Sequence, residues 1–446
     1  MKKDERFIVY QFCELSGTVL IIACICLLLG SVIVEQLSGH DFLFPPVLYS
    51  LCVLILFITV FKMTQNVFVF DRRLLLGLLS LASLLLVLST VFSINPSLSF
   101  RGSSNRNEGF LTWCCYFTLM FGALCISEEK HRQWICFGIL VMGCVNGFYT
   151  FLQYMDLFPR LTHYSTLFYK YKLVPGLCGN AVFLATYMVA FSGIAMGLLV
   201  KAKHWWQEAI ALFCLLIGIV VIVMTKSTAG LLGLGMVLFL ASIYVYTHRD
   251  ELKRWYFDAY PLMITLMIAF VIILCLMVLT QNAWLLRFQH ELEDAIMPLL
   301  SGVITEQSGS GRYMVWKNAI TLIPDHLLLG SGPDTFGKLY HSIFPLNNGQ
   351  YFDKAHNEYL EVLITMGLPM LISLLSIYGV VIKDVFKRLW SKEGTMVSAA
   401  CFFGITAYLV QAFFGIAAIL SAHLFWILLG LGAGQLWNES RVRSHE

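Results

Sequence analysis

Arg312 and His356 are residue types that grip an anion and handle a proton, and they flank the part of this chain that is least apolar. Residues 281–357 form a long polar excursion that also carries Arg287, Lys317, Lys338 and Lys354. Earlier polar turns hold Arg101, Arg106 and Lys226. A guanidinium presents a planar fork of donors to phosphate, and a neutral imidazole accepts a proton near pH 7. His356 and Asn357 stand where the apolar helical pattern resumes. The free N–H groups and positive dipole end of that helix would favour an anion. Together these residues point to a site for a phosphate-bearing ligand. The bland reading makes each Arg an ordinary surface charge and His356 an interfacial residue.

The elements that must position them are membrane helices. The chain has 446 residues, 58% hydrophobic and 13% charged, with mean hydropathy +0.76. Soluble domains carry about 25% charged residues, so the composition is that of an integral membrane protein. The expected fold is an all-α polytopic bundle of about 12 transmembrane helices. They fall near residues 16–34, 45–61, 74–93, 110–126, 134–153, 181–200, 208–225, 229–246, 261–280, 358–382, 395–414 and 416–436. Residues 1–280 would hold nine of them with short loops, 281–357 an extracytoplasmic loop domain, and 358–446 three more with a cytoplasmic tail. The apolar run 16–34 is too long for a signal-peptide core, so it reads as an uncleaved span. Of the 13 cysteines only Cys178 falls in a predicted outside loop, which excludes a disulfide framework.

Basic residues set the orientation. Of the 30 Lys and Arg, 19 lie in alternate loops that include both termini, which the positive-inside rule assigns to the cytoplasm. The opposite loops are 35–44, 94–109, 154–180, the tight turn at Lys226 and the excursion. Arg residues on that side run against the bias, and a shared anionic ligand would explain them.

Within the excursion, residues 287–294 read as a solvated helix; His290, Glu291, Glu293 and Asp294 are a weaker candidate for a metal cluster. Residues 309–323 also read as a helix, ended by Pro324. Gly330, Gly332 and Gly337 follow in a turn-rich loop with no nucleotide-binding fingerprint. In the helix that starts at residue 358, Pro369 should introduce a kink, and Gly367 should let another helix approach. There is no D-x-D pattern, no expected metal and no expected cofactor.

Four stretches are familiar: FRGSSNRNEGFLTW at 100–113, GNAVFLATYM at 179–188, GRYMVWKNAITLIPDHLLLGSGPDTFG at 311–337 and DKAHNEYLEVLITMG at 353–367. With the topology, they resemble the O-antigen ligase and polymerase superfamily of bacterial membrane glycosyltransferases. Two positions depart from that pattern: Met370 stands where the family has Gly, Thr or Tyr, and Lys226 with Ser227 where it has Ser followed by Arg. The resemblance implies a GT-C-like fold in the bacterial cytoplasmic membrane. It implies a metal-independent transferase that takes a glycan from undecaprenyl diphosphate on the outer face and passes it to a sugar, lipid or protein acceptor. No nucleic acid is involved; membrane lipids surround the chain. On this reading His356 and Arg312 are catalytic, and Arg101, Arg106, Lys226, Asn180 and Asn357 bind the diphosphate or glycan. Ligase and repeat-unit polymerase share the donor and stay open as alternatives. A transporter or flippase would need ionisable residues near the midplane of the spans, where the sequence places only polar Asn146, Gln411 and His423. A scaffold protein gives no reason for Arg and His to gather on one side.

Overall fold

A computed structural model describes residues 3–38, 44–65, 73–104, 106–155, 157, 173–249, 312–345, 351–391 and 394–443. The expected span 261–280, the acidic helix 287–294 and the basic residues Arg160, Lys170 and Lys172 lie outside these residues. Among the described residues the regular structure is all helical. In chain order the helices are α1 (Lys3–Ser38), α2 (Phe44–Thr64), α3 (Arg73–Val91), α4 (Pro96–Arg101), α5 (Phe110–Leu124), α6 (Glu129–Tyr154), α7 (Ala181–Val200) and α8 (Trp205–Thr225). Then come α9 (Thr228–Thr247), α10 (Arg312–Thr321), α11 (Phe336–Ile343), α12 (Glu358–Met366), α13 (Leu368–Leu389), α14 (Met396–Ala412) and α15 (Ile419–Arg443).

Eight of these, α1, α2, α3, α6, α7, α8, α9 and α13, are long and apolar enough to cross a membrane. Helices α5, α14 and the apolar part of α15 are shorter apolar rods. In lipid every backbone polar group must bond within its own segment, so runs of Leu, Ile, Val and Phe this long fold as helices. Outward faces carry bare apolar side chains, such as Val53 and Phe57 on α2.

Helix α7 is the axis of the bundle, with 94% of its apolar window buried. Its glycines explain how. A Cβ on Gly193 would lie 2.5 Å from the Gly404 Cα, and one on Gly197 2.5 Å from the Ala400 Cα. Two small-xxx-small stripes therefore bring α7 and α14 into backbone contact, the usual device where lipid offers no hydrophobic drive for helix association.

Three expectations change. The span predicted at 16–34 begins earlier, and Glu14 falls inside the candidate window Phe7–Leu27. Cys178, expected in an outside loop, is buried in protein. Asn146 on α6 accepts from the Leu177 N–H at 2.9 Å and Gln153 from the Gly176 N–H at 3.0 Å, so residues 174–178 fold back into the bundle. Irregular backbone is tolerated there because protein side chains satisfy it.

The third change matters most for the site. The helix predicted over 358–382 is two helices, broken at Gly367 (φ 86°) rather than kinked at Pro369. Pro369 sits in the first turn of α13, where its missing N–H costs nothing. What approaches Gly367 is a loop and not a helix: a Cβ there would lie 2.3 Å from the Leu328 carbonyl oxygen. The freed backbone groups are met by the same loop. Ser331 N–H donates to the Ile364 carbonyl at 3.0 Å, Gly332 N–H to Thr365 at 2.7 Å, and Leu368 N–H to Leu327 at 2.7 Å. The turn-rich GSG segment thus docks onto the C-terminal end of α12, which is 9 residues long and too short to cross.

Candidate active site

Three loops meet at one end of the bundle: 102–109 before α5, 327–335 before α11, and 351–357 before α12. Each has a non-glycine residue in the left-handed region: Asn107 (φ 55°), Asp334 (φ 59°) and His356 (φ 53°). Such backbone costs on the order of 1–3 kcal/mol and persists where surrounding contacts fix it.

His356 is held from two sides. Asn357 caps α12 by accepting from the Leu360 N–H at 3.0 Å. Trp316, one turn along α10 from Arg312, donates its indole N–H to the Ala355 carbonyl at 2.8 Å. Helix α10 is fixed through its buried face, Val315 and Ala319. Arg312 is therefore carried on a rigid element docked against the His356 segment.

Arg106 reaches the same place from the opposite part of the chain. Its fork closes on Asp353, with Nε to Oδ2 at 2.5 Å and Nη2 to Oδ1 at 3.1 Å, and its guanidinium lies 5.4 Å from the Phe183 ring centroid on α7. Burial alone would raise the Asp353 carboxyl, but Arg106, Lys354 and His356 hold it below the usual carboxylate range. For His356, burial is the main influence and Arg312 the next. With Arg106 adding to them and Asp353 opposing, its pKa falls to about 4. His356 is thus a neutral imidazole at pH 7, under the influence of two guanidiniums.

Behind these groups lies a buried carboxyl cluster. Glu108, Asp334, Glu358 and Glu361 surround Lys354 around a cavity of about 20 Å³, room for roughly one water. Lys354 Nζ stands 2.8 Å from Asp334 Oδ1 and 3.3 Å from Glu361 Oε1. Burial works against its charge, but Asp334, Glu361 and Glu108 together hold its pKa above the ordinary lysine range. Burial pushes Glu108 up to about 8 and Glu358 up to about 7; Tyr116 and Tyr408 donate their hydroxyls to these two at 2.8 and 3.1 Å. Burial likewise raises Glu361. Four carboxyls round one ammonium do not all ionise; protons held by Glu108 and, in part, by Glu358 bring the cluster closer to charge balance.

The structure thus brings Arg106, Arg312 and His356 together. Arg101 ends α4 with an exposed side chain, and the charges acting on His356 are Arg312, Asp353 and Arg106. Lys226 forms the turn between α8 and α9 in a left-handed conformation (φ 54°). Asn180 caps α7, accepting from Val182 N–H at 2.8 Å, so its carbonyl oxygen, like that of Asn357, is used by backbone. Lys354, counted among the cations of the excursion, is a buried structural charge instead. The N-terminal end of α12 is likewise taken up: Glu361 accepts from the Ala355 N–H at 2.8 Å, and Glu358 and Glu361 occupy the first turn, where carboxyls complement the helix dipole.

Asp334, Asp353, Glu108, Glu358 and Glu361 were not singled out from the sequence. Acids in three of the four motif stretches were the available signal, but acids beside a basic site read as solvated charge until burial is known. Among the described residues no group of three or more His, Cys, Asp and Glu has metal-holding geometry.

No curated protein matches the chain. Residues 212–375 match the family model described as O-antigen ligase. The matched span holds Lys226, Arg312, Asp334, Lys354, His356 and Asn357, and leaves Arg101, Arg106 and Asn180 upstream. This match supports placing the chain, a multi-pass membrane protein, in the O-antigen ligase and polymerase superfamily of polysaccharide biosynthesis.

Proposed function

We propose that this chain transfers a glycan from undecaprenyl diphosphate to an acceptor hydroxyl at the outer face of the cytoplasmic membrane. One observation carries the reading: Arg106 closes on Asp353 and Trp316 of α10 on Ala355, so Arg106, Arg312 and His356, from segments some 200 residues apart in sequence, converge at one end of a membrane bundle. Arg312 and Arg106 grip the diphosphate, with Arg106 exchanging part of its pairing with Asp353 for phosphate oxygens. The acceptor oxygen attacks the anomeric carbon, the bond from that carbon to phosphate oxygen breaks, and undecaprenyl diphosphate leaves with the electron pair. The imidazole of His356 takes the acceptor proton. Burial, Arg312 and Arg106 together keep its basicity low, and a diphosphate bound beside the two guanidiniums raises it, so the base is strongest with donor in place.

The donor, acceptor class and orientation are part of this proposal. The loop end faces outward and both termini face the cytoplasm. An impermeant thiol reagent should reach a cysteine placed at Ser104 and not one at Lys203; the opposite pattern would invert the topology. Purified protein in lipid nanodiscs with a radiolabelled lipid-linked glycan should move label to the acceptor and continue to do so in EDTA. Label left on the carrier lipid would remove the transferase reading, and rescue by Mg²⁺ or Mn²⁺ after chelation would bring in a metal. In gene-deleted cells, surface glycan reduced to single units indicates a polymerase, and long chains stranded on the carrier a ligase.

A further inference from the structure

Asp334 lies between the two halves of the site and touches all three loops. Its Oδ2 accepts from the Ser103 N–H at 2.6 Å, the Ser103 hydroxyl at 3.0 Å and the Glu108 N–H at 3.3 Å. Its Oδ1 pairs with Lys354 at 2.8 Å, and both side chains are buried. Ser103 and Glu108 bracket Arg106, so one carboxylate closes the Arg106 loop at both ends. Lys354 is two residues from His356, so the same carboxylate anchors the His356 loop. This clamp supports the loop 102–109: among its described residues the internal backbone bonds are the turn from Arg106 N–H and Asn107 N–H to the Ser103 carbonyl. Asp334 itself is held in place. It sits in the left-handed region, just past the Gly332 backbone that docks on Thr365, with Ser331 and Thr335 hydroxyls 2.7 Å apart beside it.

We propose that Asp334 is a positioning residue, the buried carboxylate that fixes the spacing between Arg106 and His356. This rests on the transfer reading above, because the spacing matters only if both groups act on one donor. Asp334 does not face the ligand and takes no proton in the reaction. Its work is done through the backbone of residues 103–108 and through Lys354. Enzyme groups must be held within a fraction of an ångström, and a displacement of about 1 Å costs on the order of 10²-fold in rate.

The test pairs a distance with an activity in the full-length protein. Nitroxides at Ser104 and Tyr351, both exposed, report the gap between the two loops in a cysteine-free background; a second pair at Phe57 on α2 and Phe239 on α9 reports the bundle. In Asp334→Asn the Ser104–Tyr351 distribution should broaden or shift while the bundle pair stays as in wild type. Transfer per folded protein should fall about 10²-fold. An unchanged Ser104–Tyr351 distance would overturn the proposal whatever the activity, and so would a changed distance with wild-type transfer. If Asp334→Asn does not insert, the double variant Asp334→Asn/Lys354→Met removes both buried charges together and is read the same way. If wild-type protein transfers nothing, the transfer reading fails by itself, and the distances still decide whether Asp334 couples the loops.

Discussion

Helix α5 has a buried charge cluster at each end, about 22 Å apart by helical rise. Beyond its C-terminal end, Glu14 of α1 pairs with Lys62 of α2, accepts from the Ser127 N–H at 2.8 Å and from the Glu128 N–H at 3.3 Å, and Lys62 donates to the Cys125 carbonyl at 2.6 Å. Before its N-terminal end lie Asp334, Lys354, Arg106, Asp353 and His356. The first cluster is borne by helices and a short turn, and both ionic side chains are at most 3% exposed. The second is borne by loops with left-handed residues, and its Arg106–Asp353 pair is 18% and 27% exposed. The same residue types therefore do two jobs. An enclosed pair on rigid helices ties α1, α2 and the α5–α6 turn together. A partly open pair on strained loops beside a neutral imidazole leaves groups within reach of a ligand.

That contrast can be broken by mutation at either end. His356→Ala should lower turnover by about 10²–10⁴-fold, the usual worth of general acid–base catalysis, with thermal unfolding in detergent unchanged. Equal losses of folded protein and activity would make His356 structural. At the other end, Lys62→Met leaves the Glu14 carboxylate buried without its cation. The expected loss is about 3–5 kcal/mol of stability, seen as a lower unfolding temperature and less monodisperse protein, with transfer per folded molecule as in wild type. A catalytic defect in the folded fraction would undo the division of labour between the two ends.

Arg312→Lys sharpens the comparison. It keeps the charge and removes the fork, so transfer should drop about tenfold with a higher KM for donor and no change in stability. The smallest effect is in the pH profile. His356 works as the neutral form and is protonated below about 4 in the free protein, so kcat/KM should fall only as pH drops through that value. Donor diphosphate offsets Arg312 and Arg106, so the acid limb of kcat should lie at higher pH, by about one unit or more. Coincident limbs near the ordinary histidine value would mean that the two guanidiniums do not act on His356.

Much of this was legible in the chain itself. Long apolar runs can only be helices in lipid, and each expected span that falls on described residues lies on helix, though 358–382 is divided. Arg106, Arg312 and His356 were visible as cations and an imidazole where the pattern turns polar. Residue type and local pattern suffice for such statements. They do not suffice for what depends on partners far away in sequence. Gly367 ends a helix because the Leu328 carbonyl leaves no room for a Cβ and loop 327–332 supplies the bonds that an unbroken helix would have made. Lys354 is enclosed by buried carboxyls, whereas Arg106 pairs with the partly exposed Asp353. Asp334 binds Ser103 across 231 residues. Burial and long-range pairing decide the charge state and the job of each ionisable group, and both arise only when the chain is packed.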